Sequence, residues 1–282
     1  HSYLFTELIN DTTRNYGCRV VCAFPGGSPD IPTSVLRIPE YTTRMRDSLK
    51  VEIVSSIEDL CRKVDGVLLE SVDGRTHLEQ IRPVLRAKKP VFFDKPAAGS
   101  LDDLIEIFRL AREAGVPCWS SSSLRFCPGI AAARTTPEFG GVIGCDAFSP
   151  CPLEEHHPDL FWYGIHGVET LFTIMGPGCE TVRRVQAKGA EHAVGVWKDG
   201  RIGTFRGIRD GRADYGAFVY GAKKNGFGGG FTGFEGLANE IVKFFKTGTP
   251  PVTPEETIEI YAFMTAADES KKRNGAAVAL GE

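Results

Sequence analysis

The sequence predicts an α/β protein in two parts, a doubly wound parallel sheet followed by an α/β domain with a mostly antiparallel open sheet. Three observations lead there. Up to about residue 120, short continuous apolar runs such as V-L-L (67–69) and V-F-F (91–93) alternate with helix-period segments, as strands buried on both faces alternate with crossover helices. Beyond about residue 140 the apolar residues alternate singly with polar ones, the period of a half-solvated strand. Asp-Gly pairs at 199–200 and 210–211 punctuate that second region, and Asp-Gly between alternating runs is a hairpin signal.

In order, residues 3–10 predict a helix and C-R-V-V-C-A-F (18–24) a strand. The breaker-rich P-G-G-S-P-D-I-P (25–32) is a loop, followed by a polar helix to about Leu49 and a strand at 51–54. Ser56 with Asp59 three residues on opens a helix. Strand 66–70, helix 76–88 with Pro83 as a kink, and strand 90–94 come next. Ser100 and Asp103 cap a helix that Gly115 ends, and 116–120 is a strand. We place the domain boundary at 123/124, giving domains 1–123 and 124–282. In the second domain the strands are T-V-R-R-V-Q-A-K, A-V-G-V-W-K, R-I-G-T-F-R-G-I and Y-G-A-F-V-Y-G, and two helices close the chain.

The totals exclude several function classes. The 282 residues carry a net charge of −3, with 42 % hydrophobic and 24 % charged residues, so no basic surplus attracts nucleic acid or an anionic membrane. No run approaches the ~20 apolar residues of a membrane span. Eight cysteines without a C-x-x-C pair, several inside apolar runs, predict reduced, buried thiols and a cytoplasmic setting. The chain opens at His1 on a helix-like pattern, and the first strand of the sheet, its following loop or an export signal is expected upstream of it.

In a doubly wound sheet, ligands bind beyond the carboxyl ends of the strands. Asp94, Lys95 and Pro96 stand at such an end, with Glu70, Ser71 and Asp73 after the preceding strand and Ser120 to Ser123 after the next. A lysine partly desolvated there has its pKa lowered toward values useful for proton transfer; a surface lysine paired with Asp94 would fit the position alone equally well.

The run D-G-V-L-L-E-S-V-D-G-R-T-H (65–77) through A-K-K-P-V-F-F-D-K-P (87–96), with L-R-F-C-P (124–128), G-I-H-G-V-E (164–169), V-Y-G-A-K-K (219–224) and P-V-T-P-E-E-T (251–257), resembles the glucose–fructose oxidoreductase/inositol dehydrogenase (Gfo/Idh/MocA) family. The resemblance implies a Rossmann-type dinucleotide-binding domain, NAD or NADP as cofactor, and hydride transfer at a sugar, polyol or related carbohydrate. It also implies a homo-oligomer assembled through the carboxy-terminal sheet. It makes Lys95, in the place of the family's E-K-P lysine, and His166 the catalytic pair. Ser71, Asp73, His77, Asp94, Lys95 and Pro96 then line the cofactor crevice, and Arg125, His157, Trp162 and Tyr163 the substrate side. The chemistry agrees, because hydride leaves a carbinol carbon as its O–H proton is taken, and imidazole titrates near neutral pH.

Three departures qualify the resemblance. The glycine-rich turn after the first strand is absent. The G-x-G-x-x-G at Gly228, Gly230 and Gly233 opens no βαβ unit and reads as a flexible glycine loop. Phe24 and Pro25 end the strand where an NAD-binding acid is expected, which leaves NAD against NADP open. Trp162 stands where the family has an aspartate four residues before the histidine, so a non-catalytic carbohydrate- or cofactor-binding protein, or a hydrolase or lyase using transient redox chemistry, is the alternative. His157, His166 and Glu169 could together ligate a metal, but their spacing is sparse, and no metal is expected. His192 reads as a solvent-facing strand residue.

Overall fold

The structure, a computed structural model, describes residues 1–281 and divides into two compact units. The first is His1–Ser121 with Leu237–Pro254, the second Ser122–Gly236 with Glu255 onward.

In the first unit, helices α1 (Ser2–Asn10), α2 (Pro32–Asp47), α3 (Ile57–Lys63), α4 (His77–Arg86) and α5 (Leu101–Ala114) alternate with strands β1 (Cys22–Ala23), β2 (Glu52–Ile53), β3 (Val67–Leu69), β4 (Val91–Phe93) and β5 (Cys118–Trp119). All pairings are parallel, as the continuous apolar runs require. The expected caps are in place. Ser56 Oγ accepts from Asp59 N at 3.0 Å and Ser100 Oγ from Asp103 N at 3.1 Å, and Gly115 ends α5 with φ +64°. Phe92 and Phe93 are fully buried. Phe92 meets Trp119 edge to face at 4.8 Å between centroids, and Trp119 in turn meets Phe244.

The sheet is not continuous, however. β1–β2 form one piece and β3–β4–β5 another. A cavity of about 720 Å³ is lined by residues 21–24 of the first piece and residues 67–70 of the second. The strands are also shorter than their apolar runs, two or three residues each.

The second unit contains α6 (Pro128–Ala133), β6 (Val142–Pro150), α7 (Gly164–Met175), β7 (Cys179–Gln186), β8 (Ala190–Trp197), β9 (Ile202–Ile208), β10 (Gly216–Gly221) and β11 (Asn225–Gly230). It is completed by most of α9 (Pro254–Lys272) and by β12 (Val278–Ala279). Its seven-stranded sheet has the order β11-β10-β6-β9-β8-β7-β12. Only β6–β9 is parallel. α7 lies on the sheet closely enough that a Cβ at Gly167 would come within 2.3 Å of the Phe205 ring.

Several expectations change here. The boundary falls at 121/122, and α8 (Glu235–Thr247) returns most of its length to the first unit. Phe245 packs so tightly over Gly66 that a Cβ there would sit 2.6 Å from its ring. Asp199-Gly200 makes the expected hairpin between β8 and β9, whereas Asp210-Gly211 makes none, because β10 pairs with β6 and β11 instead of β9. The Gly228–Gly230 stretch is no loop but strand β11, paired antiparallel with β10. Its glycines admit the start of α6: a Cβ at Gly229 (φ +120°) would lie 2.9 Å from Gly129 Cα. Strand β6, between β10 and β9 in the sheet, has no counterpart among the predicted elements. All eight cysteines are free, and seven are buried. No described helix is long and apolar enough to cross a membrane.

Candidate active site

In the first unit, β3 and β4 deliver their loops side by side. Gly74 permits this: a Cβ there would fall 2.7 Å from the backbone of both Pro96 and Ala98. Lys95 is 8 % exposed. Burial pushes its ammonium pKa down, the Asp94 carboxylate opposes that shift, and the Arg37 charge adds to it. This is the direction a proton-transferring lysine needs. The Lys95 backbone N–H donates to Asp94 Oδ1 at 2.8 Å, and the Lys95–Pro96 peptide is cis. Asp94 Oδ2 is 2.6 Å from His1 Nδ1.

Glu70 lines the cavity, and both its carboxylate oxygens are buried without a hydrogen bond. Burial and the neighbouring Asp94 charge raise its pKa well above the ordinary carboxyl range. His1, Glu70 and Asp94 are the one group among the described residues whose side chains come close enough to hold a metal ion; His157, His166 and Glu169 form no such group.

Of the residues expected in the cofactor crevice, Ser71 lines the cavity and its hydroxyl donates to Gln80 Oε1 at 2.7 Å. Asp73 is buried. It caps the turn at Gly74–Thr76 through Arg75 N and accepts from Ser28 Oγ at 2.5 Å. Arg75, which the sequence did not single out, bridges Asp73 and Asp30, so an arginine does stand beside the 25–32 loop. His77 lies buried between two loops. It is 0 % exposed, with Nδ1 3.1 Å from Ala97 O and Nε2 2.9 Å from Ser71 O. It ties the β3 and β4 loops together, and burial pushes its pKa down.

In the second unit, His166 begins α7. Its Nδ1 is 2.7 Å from Ser122 Oγ, and the rings of Tyr163 and Tyr215 flank it at 5.6 Å each. The aromatic series continues from Tyr163 through Trp162 to His157. Such faces can stack on a sugar or polyol. His157 Nδ1 is 2.7 Å from Glu154 Oε2. Trp162 is buried. Arg125 is engaged twice, Nε to Glu169 Oε1 and Nη1 to Glu256 Oε1, both at 2.8 Å. Burial and the Arg206 charge push His192 down, and it is only half exposed rather than solvent-facing.

Residues 34–122 match the model of the Gfo/Idh/MocA oxidoreductase family with an NAD-binding Rossmann fold. No curated protein matches the sequence. Solved structures with a similar fold include a probable dehydrogenase from Thermotoga maritima (20 % identity, 98 % of this chain and 95 % of that one covered, TM-score 0.78). Another is scyllo-inositol dehydrogenase from Lactobacillus casei with bound NAD(H) and scyllo-inositol (14 %, 99 % and 95 %, 0.77). A third is myo-inositol 2-dehydrogenase from Lactobacillus plantarum (14 %, 98 % and 95 %, 0.79). Over residues 34–122, with their parallel βα units and the lysine at the end of β4, the amino-terminal unit thus matches the NAD-binding Rossmann fold of the Gfo/Idh/MocA oxidoreductase family.

Proposed function

We propose that the protein is an NAD(P)-dependent oxidoreductase that transfers hydride to or from an inositol-like polyol, a sugar or a related carbohydrate. The observation that carries this reading is Lys95, buried at a strand end of a family-matched Rossmann unit with its pKa lowered by that burial. The inositol dehydrogenases that share the fold bear on the substrate class.

The residues present fit a dinucleotide. The unbonded carboxyl of Glu70 and the hydroxyl of Ser71 line the cavity beside β1 and β3 and would meet its ribose or amide groups. The Arg75–Asp30 pair beside the 25–32 loop offers both a cation for a 2′-phosphate and an acid for a 2′-hydroxyl, so either cofactor form remains in the proposal.

When bound, the nicotinamide supplies or accepts the hydride. Lys95 would hydrogen-bond the reacting hydroxyl, and His166 would take or return its proton. The rings of Trp162, Tyr163 and Tyr215 would hold the carbon face of the substrate, with His157 at their edge. The apolar side chains of Ile143, Val185, Ile202 and Phe227, all exposed on sheet strands, support homo-oligomer formation through that sheet, which light scattering would test. Trp162, in place of a carboxylate, favours a second reading, a protein that binds the carbohydrate without oxidising it.

Calorimetric titration with NAD(H) and NADP(H), followed by a polyol screen monitored at the nicotinamide absorbance, tests the proposal. Micromolar binding of one cofactor and turnover of a polyol is the expected result. Binding of neither cofactor overturns the oxidoreductase reading; cofactor binding without turnover moves the weight to the second.

A further inference from the structure

Resting on the role given to His166 above, we infer that Ser122 is its positioning residue, holding the imidazole so that proton exchange takes place at Nε2. Ser122 is 1 % exposed and grips α7 at two points one turn apart. Its hydroxyl oxygen is 2.7 Å from His166 Nδ1, and its backbone N–H donates to Glu169 Oε2 at 2.7 Å. Residues three apart on a helix share a face, so one residue fixes both the histidine and the turn that carries it.

The second point is itself anchored. Glu169 Oε1 accepts from Arg125 Nε, and Arg125 Nη1 donates to Glu256 Oε1. Arg125 thus forms an ion pair with the same carboxylate that Ser122 N–H bonds, and hydrogen bonds to charged carboxylates are the strong ones. The Ser122 oxygen also accepts from Leu124 N at 3.3 Å. A hydroxyl oxygen can also accept an Nδ1–H, and proton exchange at Nε2 keeps that proton on Nδ1 in the neutral ring and in the imidazolium alike.

The serine can therefore follow the ring through both of its protonation states. When His166 is the imidazolium, Ser122 Oγ accepts the Nδ1–H. As the carbinol proton arrives at or leaves Nε2, with the hydride exchanged with the nicotinamide, the Nδ1 bond persists. Rotating the ring by half a turn would put Cδ2 where Nδ1 stands and lose that bond. The flanking rings of Tyr163 and Tyr215 oppose the rotation further. Fixing one ring nitrogen to define the other's chemistry is how histidines are oriented in proton-transfer sites.

The test is ¹⁵N-detected imidazole NMR of the unliganded protein, with His166 assigned by its loss in His166→Gln. Wild type is expected to show one neutral tautomer. Ser122→Ala is expected to show a mixture, and Ser122→Thr, which keeps the hydroxyl, to return the single form. In turnover, Ser122→Ala is expected to lower kcat by about 10–100-fold with KM little changed, and to move the pH profile. A fast average of both tautomers in the wild type, or an unchanged single tautomer in Ser122→Ala, overturns the inference. The wild-type spectrum decides even if the variant does not fold. A protein that transfers no hydride to any polyol defeats the proposed function, yet leaves the NMR result to decide Ser122.

Discussion

The two side chains assigned to proton transfer are held in opposite ways. Lys95, in the first unit, owes its character to burial: desolvation is the largest influence on it, the neighbouring Asp94 charge works against that, and the Arg37 charge adds to it. His166, in the second unit, is set by a bonded chain that runs from Ser122 through Glu169 and Arg125 to Glu256. A group tuned by burial is sensitive to whatever lets water in, whereas a group tuned by bonds is sensitive to the loss of a single partner. Their perturbations should differ accordingly.

The largest effect expected is on Lys95. Lys95→Ala should reduce polyol turnover by about 10²–10⁴-fold, the range for losing a proton-transfer group, while NAD(P)H affinity by calorimetry stays near that of the wild type. Lys95→Arg should not rescue turnover, because a guanidinium does not release its proton near neutral pH. If the alanine variant turns over normally, the contrast between the two groups collapses.

Next comes the packing that keeps Lys95 dry. Gly74→Ala would push a methyl group against the backbone of Pro96 and Ala98. Backbone on both sides cannot give way cheaply, so urea denaturation should show a loss of about 2 kcal/mol or more. Turnover should fall too, since the lysine loop is the part displaced. A stable variant with full activity would show that the close approach of the β3 and β4 loops is dispensable.

How much of this was readable in the sequence follows the same division. The first unit's strands, caps and strand-end lysine were legible because each is a local feature: an apolar run, a Ser-x-x-Asp, a Lys-Pro. Trp162 was legible as a departure for the same reason. The bonds of His77 were not legible because its two partners, the carbonyls of Ser71 and Ala97, come from separate loops, and nothing near residue 77 encodes both. Arg125 likewise takes its meaning from Glu169 and Glu256, far along the chain. The return of α8 to the first unit left no trace because an apolar helix face reads the same whichever unit it covers. Strand β6 escaped because V-I-G-C-D-A-F-S-P alternates only weakly. β11 escaped because its glycines look like a loop until the close approach of α6 explains them.

A cluster elsewhere in the second unit shows burial at work on a bonded group. The fully buried Arg184 faces Asp159, Glu191 and Asp268. Burial raises the Asp268 pKa from 3.8 to about 6, with Arg184 opposing the rise and the other two acids adding to it. A raised folded-state pKa means that the folded protein binds more protons than the unfolded chain between about pH 4 and 6. This group's contribution is therefore complete below pH 4 and is lost as pH rises through 6. Asp268→Asn mimics the protonated form and should remove that loss. Relative to wild type, the variant should gain roughly 1–3 kcal/mol between pH 4 and pH 7 in denaturation measurements. A constant difference across that range would mean that Arg184 keeps Asp268 ionised throughout, as it would in a balanced pair.

The smallest effect sharpens the comparison from the side of the first unit. Ser100 accepts from Asp103 N at the start of α5, the helix that directly follows the lysine loop. Ser100→Ala should cost about 1 kcal/mol, the usual value of an N-cap hydroxyl. Asp102 and Asp103 remain in the first turn to favour the helix N-terminus. Because the cap's bond is local to the start of α5, the dryness of the lysine should survive, and turnover should be unchanged at temperatures where the variant is folded. The pH profile of kcat/KM is the discriminating measurement. If Ser100→Ala shifts a limb that Lys95→Ala removes, burial alone does not set that lysine, and the position of α5 must be counted among its controls. If the profile stays put while stability falls, tuning by burial is local to the loops that Gly74 and His77 bring together.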